Sequence, residues 1–492
     1  MILVDSTIVN VANPAIMKHF DAGINEVIWV TSAYLLSYAV LLLVSGRLGD
    51  RFGPKNLFIM GLVVFSAASF WCGFAGSIEM LIVARVVQGI GGALLTPQSM
   101  AVITRVFPPH QRGKAMGIWG ATSGVALLVG PLAGGLLVDS LGWQWIFFIN
   151  VPVGVVAIAL AARFVPKLPT SQHKFDWLGV ALSAVGMFLL VFGIQEGETY
   201  NWGTITGPIT VWGMIGAGIV VMVLFVLWQR INRGEPLVPL GLFKDRNFSV
   251  ANGAISLMGV AVSTMAIPLI FFSQIVLGYS PTGSALLMLP MAIVVMPLSP
   301  LVGRLVNTYN PKWFIFGGFV LYAFSLWLYS IAFQPNQSWT ALVLPSALMG
   351  LAQSGIWGPL ATSATRNLPL HQAGAGSGVY NTTRQIGSVI GSAAIAALVQ
   401  ARLAANIQGY SAASSQVASH AGVKLPDAIA QGFANAMAQA LWLPIIASIL
   451  AAAVSLLLEK PKRVEWGQQT EFGADEADAA RESAAAKPAV AH

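Results

Sequence analysis

Asp5 is the only carboxylate set well inside an apolar run of this chain, and Arg85 and Arg384 are the only cations so placed. A charged Asp near the middle of a membrane helix costs roughly 2.5–3.5 kcal/mol. Burial favours the neutral acid, so Asp5 has the chemistry of a group that takes up and releases a proton. The alternative for Asp5 is an ordinary acid in the first turn of a short helix at the interface. Arginine stays protonated and cannot carry that proton, but Arg85 can hold a nearby carboxylate, or water and helix carbonyls. Snorkelling to the outer interface is the other reading of Arg85. Arg384 sits among Asn381, Thr382, Thr383, Gln385 and Ser388. Such a face suits a water-filled cavity better than lipid, so Asn381 and Arg384 are expected to line one.

The elements that position these residues repeat. Gly46, Arg47, Leu48, Pro54 and Lys55 recur as Gly303, Arg304, Leu305, Pro311 and Lys312, with Asp50 matched by its amide Asn307. Pro108-Pro109-His110-Gln111-Arg112-Gly113 is echoed by Pro369-Leu370-His371-Gln372-Ala373-Gly374, and Gly117 by Gly378. Each copy lies between long apolar runs. Two related halves in a membrane chain point to a secondary transporter with its site where the halves meet.

Composition places the chain in a membrane: 56% hydrophobic and 9% charged residues, with a mean hydropathy of +0.73. Fourteen apolar stretches are long enough to span as helices, at about 1–17, 27–45, 57–76, 79–104, 115–138, 145–163, 177–195, 208–229, 248–272, 284–302, 313–333, 340–363, 376–400 and 439–458. Short alternating strands of a β-barrel are absent from the pattern. The one cysteine, Cys72, excludes an internal disulfide. The net charge of +7 does not indicate nucleic acid. With odd-numbered connections outside, the outer loops hold only Lys18, Arg402 and Lys424. Apart from Arg85 and Arg384, every other cation falls in an inner loop or the C-terminal tail. That is positive-inside orientation with a cytoplasmic C-terminus, and the cations are free to touch anionic lipid.

The expected organisation is an all-α polytopic protein. A six-helix half covers 1–163, two inserted helices with their linkers cover 164–246, a second six-helix half covers 247–458, and a disordered cytoplasmic tail covers 459–492. The outer stretch 401–438 has room for an amphipathic helix. Helix 1 is short: residues 1–17 reach only about 26 Å, which puts Asp5 near the cytoplasmic end. A natural chain that begins upstream of Met1, which would carry Asp5 toward the middle of the span, is expected; a short helix that thins the bilayer is the alternative.

Five motifs, in order, resemble the fourteen-helix drug:proton antiporter branch of the major facilitator superfamily. They are Asp5-Ser6-Thr7-Ile8-Val9-Asn10-Val11-Ala12 in helix 1, Gly46 to Lys55 after helix 2, and Arg85-Val86-Val87-Gln88-Gly89-Ile90-Gly91-Gly92 in helix 4. Gly130-Pro131-Leu132-Ala133-Gly134-Gly135 follows in helix 5, and Trp143 to Pro152 at the start of helix 6. The resemblance covers about residues 1–460. It departs in two places: Gln144 stands where the helix 6 motif usually carries Arg, and the last six spans carry no acidic residue, which weighs against dicationic drugs. The resemblance implies the major facilitator fold and proton-coupled efflux of lipophilic compounds. It favours Asp5 and Arg85 as the coupling pair.

The motif residues also have a physical reading. Gly46, Asp50, Arg51, Gly53 and Lys55 fit a tight inner turn in which Asp50 accepts from a helix N-terminus of the opposite half or pairs with arginines. Such a latch would gate the cytoplasmic side; a solvated loop that only sets orientation is the plainer reading. Gly130, Pro131, Gly134 and Gly135 suit a kinked, closely packed helix, or packing alone. Asn10, Tyr34, Gln88, Gln98, Asn150, Asn252, Gln353 and Trp357 are in-span polar or aromatic residues that would contact a ligand if they face the cavity. Trp145 and Trp313 read as interface anchors. No Walker loop and no nucleophile beside a base is present, so covalent chemistry is not expected. The expected partners are a lipophilic small molecule, protons and membrane lipid. The energy source is the proton gradient, with no cofactor, and the protein is expected to act as a monomer. A dedicated exporter of a lipid, siderophore or self-made antibiotic, or a non-transporting receptor or scaffold, are the alternatives.

Overall fold

The computed structural model describes residues 1–459, apart from 23, 169, 171–175, 198–199, 233–235, 280, 369–371 and 408–426. The expected disordered tail therefore lies outside the described residues. So do the side chains of Asn10 and Pro131.

The first half comprises α1 (Ile2–Phe20), α2 (Ile24–Phe52), α3 (Pro54–Gly73), α4 (Ile78–Val106), α5 (Pro109–Leu141) and the split pair α6 (Trp145–Phe148) and α7 (Asn150–Phe164). Then come α8 (Trp177–Gln195) and α9 (Val211–Ile231). The second half comprises α10 (Arg246–Phe271), the short α11 (Pro281–Leu286), α12 (Leu289–Thr308), α13 (Pro311–Ala332), α14 (Thr340–Thr365), α15 (Ala373–Asn406), and the pair α16 (Asp427–Ala440) and α17 (Trp442–Ser455).

Among the described residues, twelve segments are long and apolar enough to cross a membrane. Helices α1 and α5 stand outside that set and pack on each other. The last span runs Ile429–Ser455 and so begins about ten residues before the sequence pattern suggested. The expected all-helical chain also holds one small exception. Thr204–Thr206 and Ile209–Thr210 pair as a two-stranded antiparallel hairpin between α8 and α9, turned by Gly207 at φ 55°.

The halves meet along two related seams. The helix of the first repeat, α2, packs on α15, and its counterpart α12 packs on α5. The α8–α9 pair lies against the first seam: Met187 and Val191 bury against Leu36 and Ala39, with Ile386 and Val389 beside them. The outward faces stay apolar, as lipid requires: Leu136, Phe164 and Trp177 are each more than 70% exposed. Trp145 and Trp313 are also exposed.

Candidate functional site

Asp5 is fully buried. Met1 packs in the cluster of Leu62, Phe65 and Leu95, well inside α3 and α4, and this sets Asp5 in the interior of the half. Side chains of α3, α4 and α7 gather around this carboxylate of α1. Arg85 Nη1 donates to Oδ2 at 2.5 Å; Gln88 Nε2 and Asn150 Nδ2 donate to Oδ1 at 2.8 and 3.0 Å. Both amides also donate to Ser69 Oγ, at 2.6 and 3.3 Å, which fixes their rotamers. Three donors on one carboxylate, two of them neutral, satisfy it without water.

Arg85 has acceptors besides Asp5. Its Nε donates to Val30 O at 3.0 Å, its Nη1 to Gln88 Oε1 at 2.6 Å, and its guanidinium lies 4.2 Å from the centre of the Tyr34 ring. Its Nη2 is buried without a partner. The cation therefore keeps part of its shell when the carboxyl takes up a proton, which is what a reversible ion pair requires.

The second cluster is on the first seam. Asp50, fully buried at the end of α2, accepts from the backbone N–H groups of Gly374 and Ala375 at 3.0 and 2.9 Å. These are unpaired donors in the first turn of α15, so an acid of one half caps a helix of the other. Arg105 Nη2 donates to the same carboxylate at 2.5 Å. A methyl group on Gly46 would lie 2.5 Å from Gly374 O and 3.0 Å from Gly378 Cα, so the two backbones touch there only because no side chain intervenes. The other seam repeats this contact, with Gly303 against the Gly113 carbonyl and Gly113 against Asn307.

A cavity of about 430 Å³ lies between the halves. Its walls include Tyr38 and Trp119 from the first half and Gln353, Trp357, Asn381 and Arg384 from the second. Arg384 also borders a neighbouring hollow with Tyr34, Gln195 and Gln385. The volume is in the range of drug-sized ligand sites.

A family model described as Major Facilitator Superfamily matches residues 1–392. The chain belongs to this superfamily. An MFS-type transporter of Mycobacterium tuberculosis, described as uncharacterised, is 48% identical over 460 residues, covering 93% of this chain and 79% of the relative. The tetracenomycin C resistance and export protein of Streptomyces glaucescens is 30% identical over 488 residues, covering 94% and 89%. The multidrug export protein EmrB of Escherichia coli is 30% identical over 394 residues, covering 80% and 76%. Among solved structures, the proton:xylose symporter XylE superposes with a TM-score of 0.58 at 14% identity, covering 92% of each chain. The fold is the major facilitator fold, and the chain is a multi-pass membrane protein.

Within this fold the residues singled out by sequence separate into groups. Gln353, Trp357, Asn381 and Arg384 share the cavity, whereas Gln88 and Asn150 do not line it. Their expected ligand contact is corrected: both amides are consumed by Asp5 and Ser69. Tyr34 stands between, with its ring on Arg85 and its edge on the neighbouring hollow. Gln98 donates to Ser45 O, and Asn252 to Phe248 O one turn back in its own helix. In the inner motif only Gly46 and Asp50 make the cross-half contacts described. Lys55 donates to Ala162 O at 2.7 Å within the first half, Arg51 lies over the Phe52 ring, and Gly53 turns the chain at φ 88°. Helix α5 runs unbroken through position 131, with Gly134 and Gly135 buried and Gly130 against Thr7 of α1.

Sequence reasoning named neither Ser69 nor Arg105, and it gave Asp50 a helix N-terminus of the opposite half without identifying the Gly374–Ala375 N–H pair. The last was within reach, because Gly374 stands in the second copy of the Pro108–Gly113 repeat.

Proposed function

We propose that the protein is a proton-driven antiporter that exports lipophilic drugs or similar toxic compounds across a cytoplasmic membrane. The observation that carries this reading is the buried Asp5–Arg85 pair, its carboxylate accepting from Gln88 and Asn150 and its guanidinium donating to Val30 O, beside a ligand-sized cavity. Its similarity to proteins named for multidrug export and for antibiotic resistance and export supports the substrate class.

In this mechanism Asp5 exchanges its proton between the two sides of the membrane, and Arg85 holds the carboxylate when it is bare. Protonation releases Arg85 to Val30 O, Gln88 and the Tyr34 ring, and α1 is freed from α4. The Asp50 latch holds the cytoplasmic seam closed until that release propagates across the halves. Residues 1–163 and 247–458 act as the two rocking bodies, with 164–246 as an insert at their side. The cations concentrated in the inner loops support a cytoplasmic C-terminus. The protein works as a monomer, with the proton gradient in place of a cofactor.

Purified protein in vesicles with an imposed pH gradient and a panel of lipophilic dyes tests the reading. Dye movement that follows the gradient and stops when it is collapsed is expected. Absence of gradient-dependent movement for every dye overturns it. Movement of one compound alone would favour a dedicated exporter, a reading supported by the 94% coverage of this chain by the tetracenomycin C exporter.

A further inference from the structure

We infer that the central cavity selects lipophilic acids, with a carboxylate or phenolate seated on Arg384 and an aromatic body between Trp119, Trp357 and Tyr38. This inference rests on the exporter reading above and adds the chemical class of its substrate.

The two arginines inside the spans are treated differently. Arg85 is matched by Asp5. Arg384 has no ion pair among the described residues, and its Nε is buried without a hydrogen-bond partner. No Asp or Glu stands among the residues that line either hollow bordered by Arg384. Asp5 is not available to it, since its carboxylate is enclosed by Arg85, Gln88 and Asn150.

The other polar groups around the cavity already have partners. Trp119 Nε1 donates to Ser99 Oγ at 3.1 Å, Tyr38 to Thr96 Oγ1 at 3.1 Å, and Trp357 Nε1 to Gln353 Oε1 at 3.3 Å. The exceptions fall together on α15. Besides Arg384 Nε, the buried Asn381 Oδ1 one turn earlier has no partner, although its amide nitrogen donates to Ser377 O at 2.9 Å. The unsatisfied groups of the cavity are thus one permanent cation and one neutral acceptor, set in walls of Trp, Tyr and aliphatic side chains.

An uncompensated cation in an apolar cavity is costly, and the cost disappears when a ligand brings the opposite charge. An anion on Arg384 gains a charge-assisted hydrogen bond that a neutral molecule of the same shape cannot form. A cationic ligand meets like charge with no acid to offset it. Asn381 Oδ1 is placed to accept from a hydroxyl on the same ligand. The walls supply apolar area but little discrimination, so the acid group sets the preference while the ring system remains variable.

The test uses the full chain in neutral phosphatidylcholine vesicles and three probes of one shape: anthracene-9-carboxylic acid, its methyl ester, and 9-aminomethylanthracene. Binding is read by quenching of tryptophan fluorescence. At pH 7.5 the acid is expected to bind at least about tenfold more tightly than the ester, the scale of one charged hydrogen bond, with the amine weakest. Arg384→Gln should remove most of that difference by weakening the acid, and Arg384→Lys should restore part of it. Ester binding by Arg384→Gln reports that the cavity is still formed, and if that variant does not fold, the Lys variant carries the comparison. An amine that binds as tightly as the acid, or an acid preference that survives Arg384→Gln, overturns the inference. So does loss of acid binding on adding phosphatidylglycerol to the vesicles, because the site would then belong to a lipid headgroup. All these outcomes are binding measurements, so they are separable from failure of gradient-driven export, which tests the exporter reading itself.

Discussion

The Arg85 guanidinium reaches the Asp5 carboxylate from the first third of α4, and neither side chain is exposed to solvent. A buried pair of this kind is weak evidence for stability, since removing two charges from water offsets most of their attraction. Its geometry is better explained by exchange. The carboxylate can be neutralised by a proton, and the cation has other acceptors within reach.

Asp5→Asn is expected to abolish gradient-driven efflux while ligand binding persists. The amide keeps the shape but releases no proton. It also leaves Arg85 buried without a counter-charge, which costs roughly 3–5 kcal/mol. The double variant Asp5→Asn/Arg85→Gln should recover much of that stability and none of the coupling. Thermal unfolding and vesicle efflux measured side by side check both statements. Efflux by Asp5→Asn that still collapses with the gradient would remove Asp5 from the coupling role.

Gly130→Ala is expected to disturb the same pair from a distance. A methyl group there would collide with Thr7 Oγ1 and lie 3.1 Å from Val4 O, and Asp5 stands between these two residues on α1. Overpacking of this kind costs typically 1–3 kcal/mol, so about that loss is expected. Coupling should suffer more than ligand binding, because α1 is displaced from α5 while the α14 and α15 walls are untouched. Thr7→Ala in the same chain should restore part of the activity. Full activity of Gly130→Ala alone would show that α1 has room to move.

The charged members of the site were legible because a charge in an apolar run is expensive and therefore conspicuous. Asp5, Arg85 and Arg384 stand out for that reason. The amides were legible as in-span polar residues, but not in their tasks. Whether Gln88 faces Asp5 or the cavity depends on the rotation of α4, which spacing alone does not give. The depth of Asp5 depends on where α1 sits along its neighbours, which the length of the helix does not give; Met1 lies against Leu62 and Leu95. The Asp50 latch was legible in kind, an acid accepting from a helix N-terminus of the opposite half or pairing with arginines, but not in its partners, the start of α15 and Arg105. That pairing is a tertiary contact between residues far apart in the chain.

Asp176, outside the spans, gives the α8–α9 pair a dependence on acid. Burial pushes its carboxyl up, but hydrogen bonds from Trp228, Gln229, Gly179 N–H and Leu237 N–H outweigh it and hold the group below the usual range. A carboxyl lowered in the folded state contributes stability that is present above its unfolded value of about 3.9 and lost as pH falls through the lowered value. The pair is therefore expected to keep its amide protection at neutral pH and to loosen only below about pH 4. Asp176→Ala should loosen it at pH 7 as well, with loss of the α8 cap costing roughly 0.5–2 kcal/mol. Hydrogen exchange in 177–195 and 211–231 reads both effects. Identical exchange in the variant and the parent at pH 7 would count against the cap as a fastener of the pair.

Asp50→Asn is expected to shift the protein away from the state with a closed cytoplasmic seam without removing the ligand site. The amide keeps one acceptor oxygen, so one of the Gly374 and Ala375 N–H bonds is lost, and Arg105 loses its counter-charge. Breaking a buried pair by removing one partner costs roughly 3–5 kcal/mol, and every 1.4 kcal/mol is about tenfold in population. The change is specific to the seam between α2 and α15, since the cavity residues Trp357 and Arg384 make no contact with Asp50. Cys72 is the only cysteine, so Cys72→Ser provides a clean background for a reporter. Ser377→Cys on α15 is fully buried in the closed seam and should react slowly with a membrane-impermeant maleimide added from the cytoplasmic side. In the Asp50→Asn chain it should react at least about tenfold faster, in line with the population shift, while dye binding stays within a factor of a few. Unchanged labelling together with lost binding would mean that Asp50 supports the cavity and does not latch the halves.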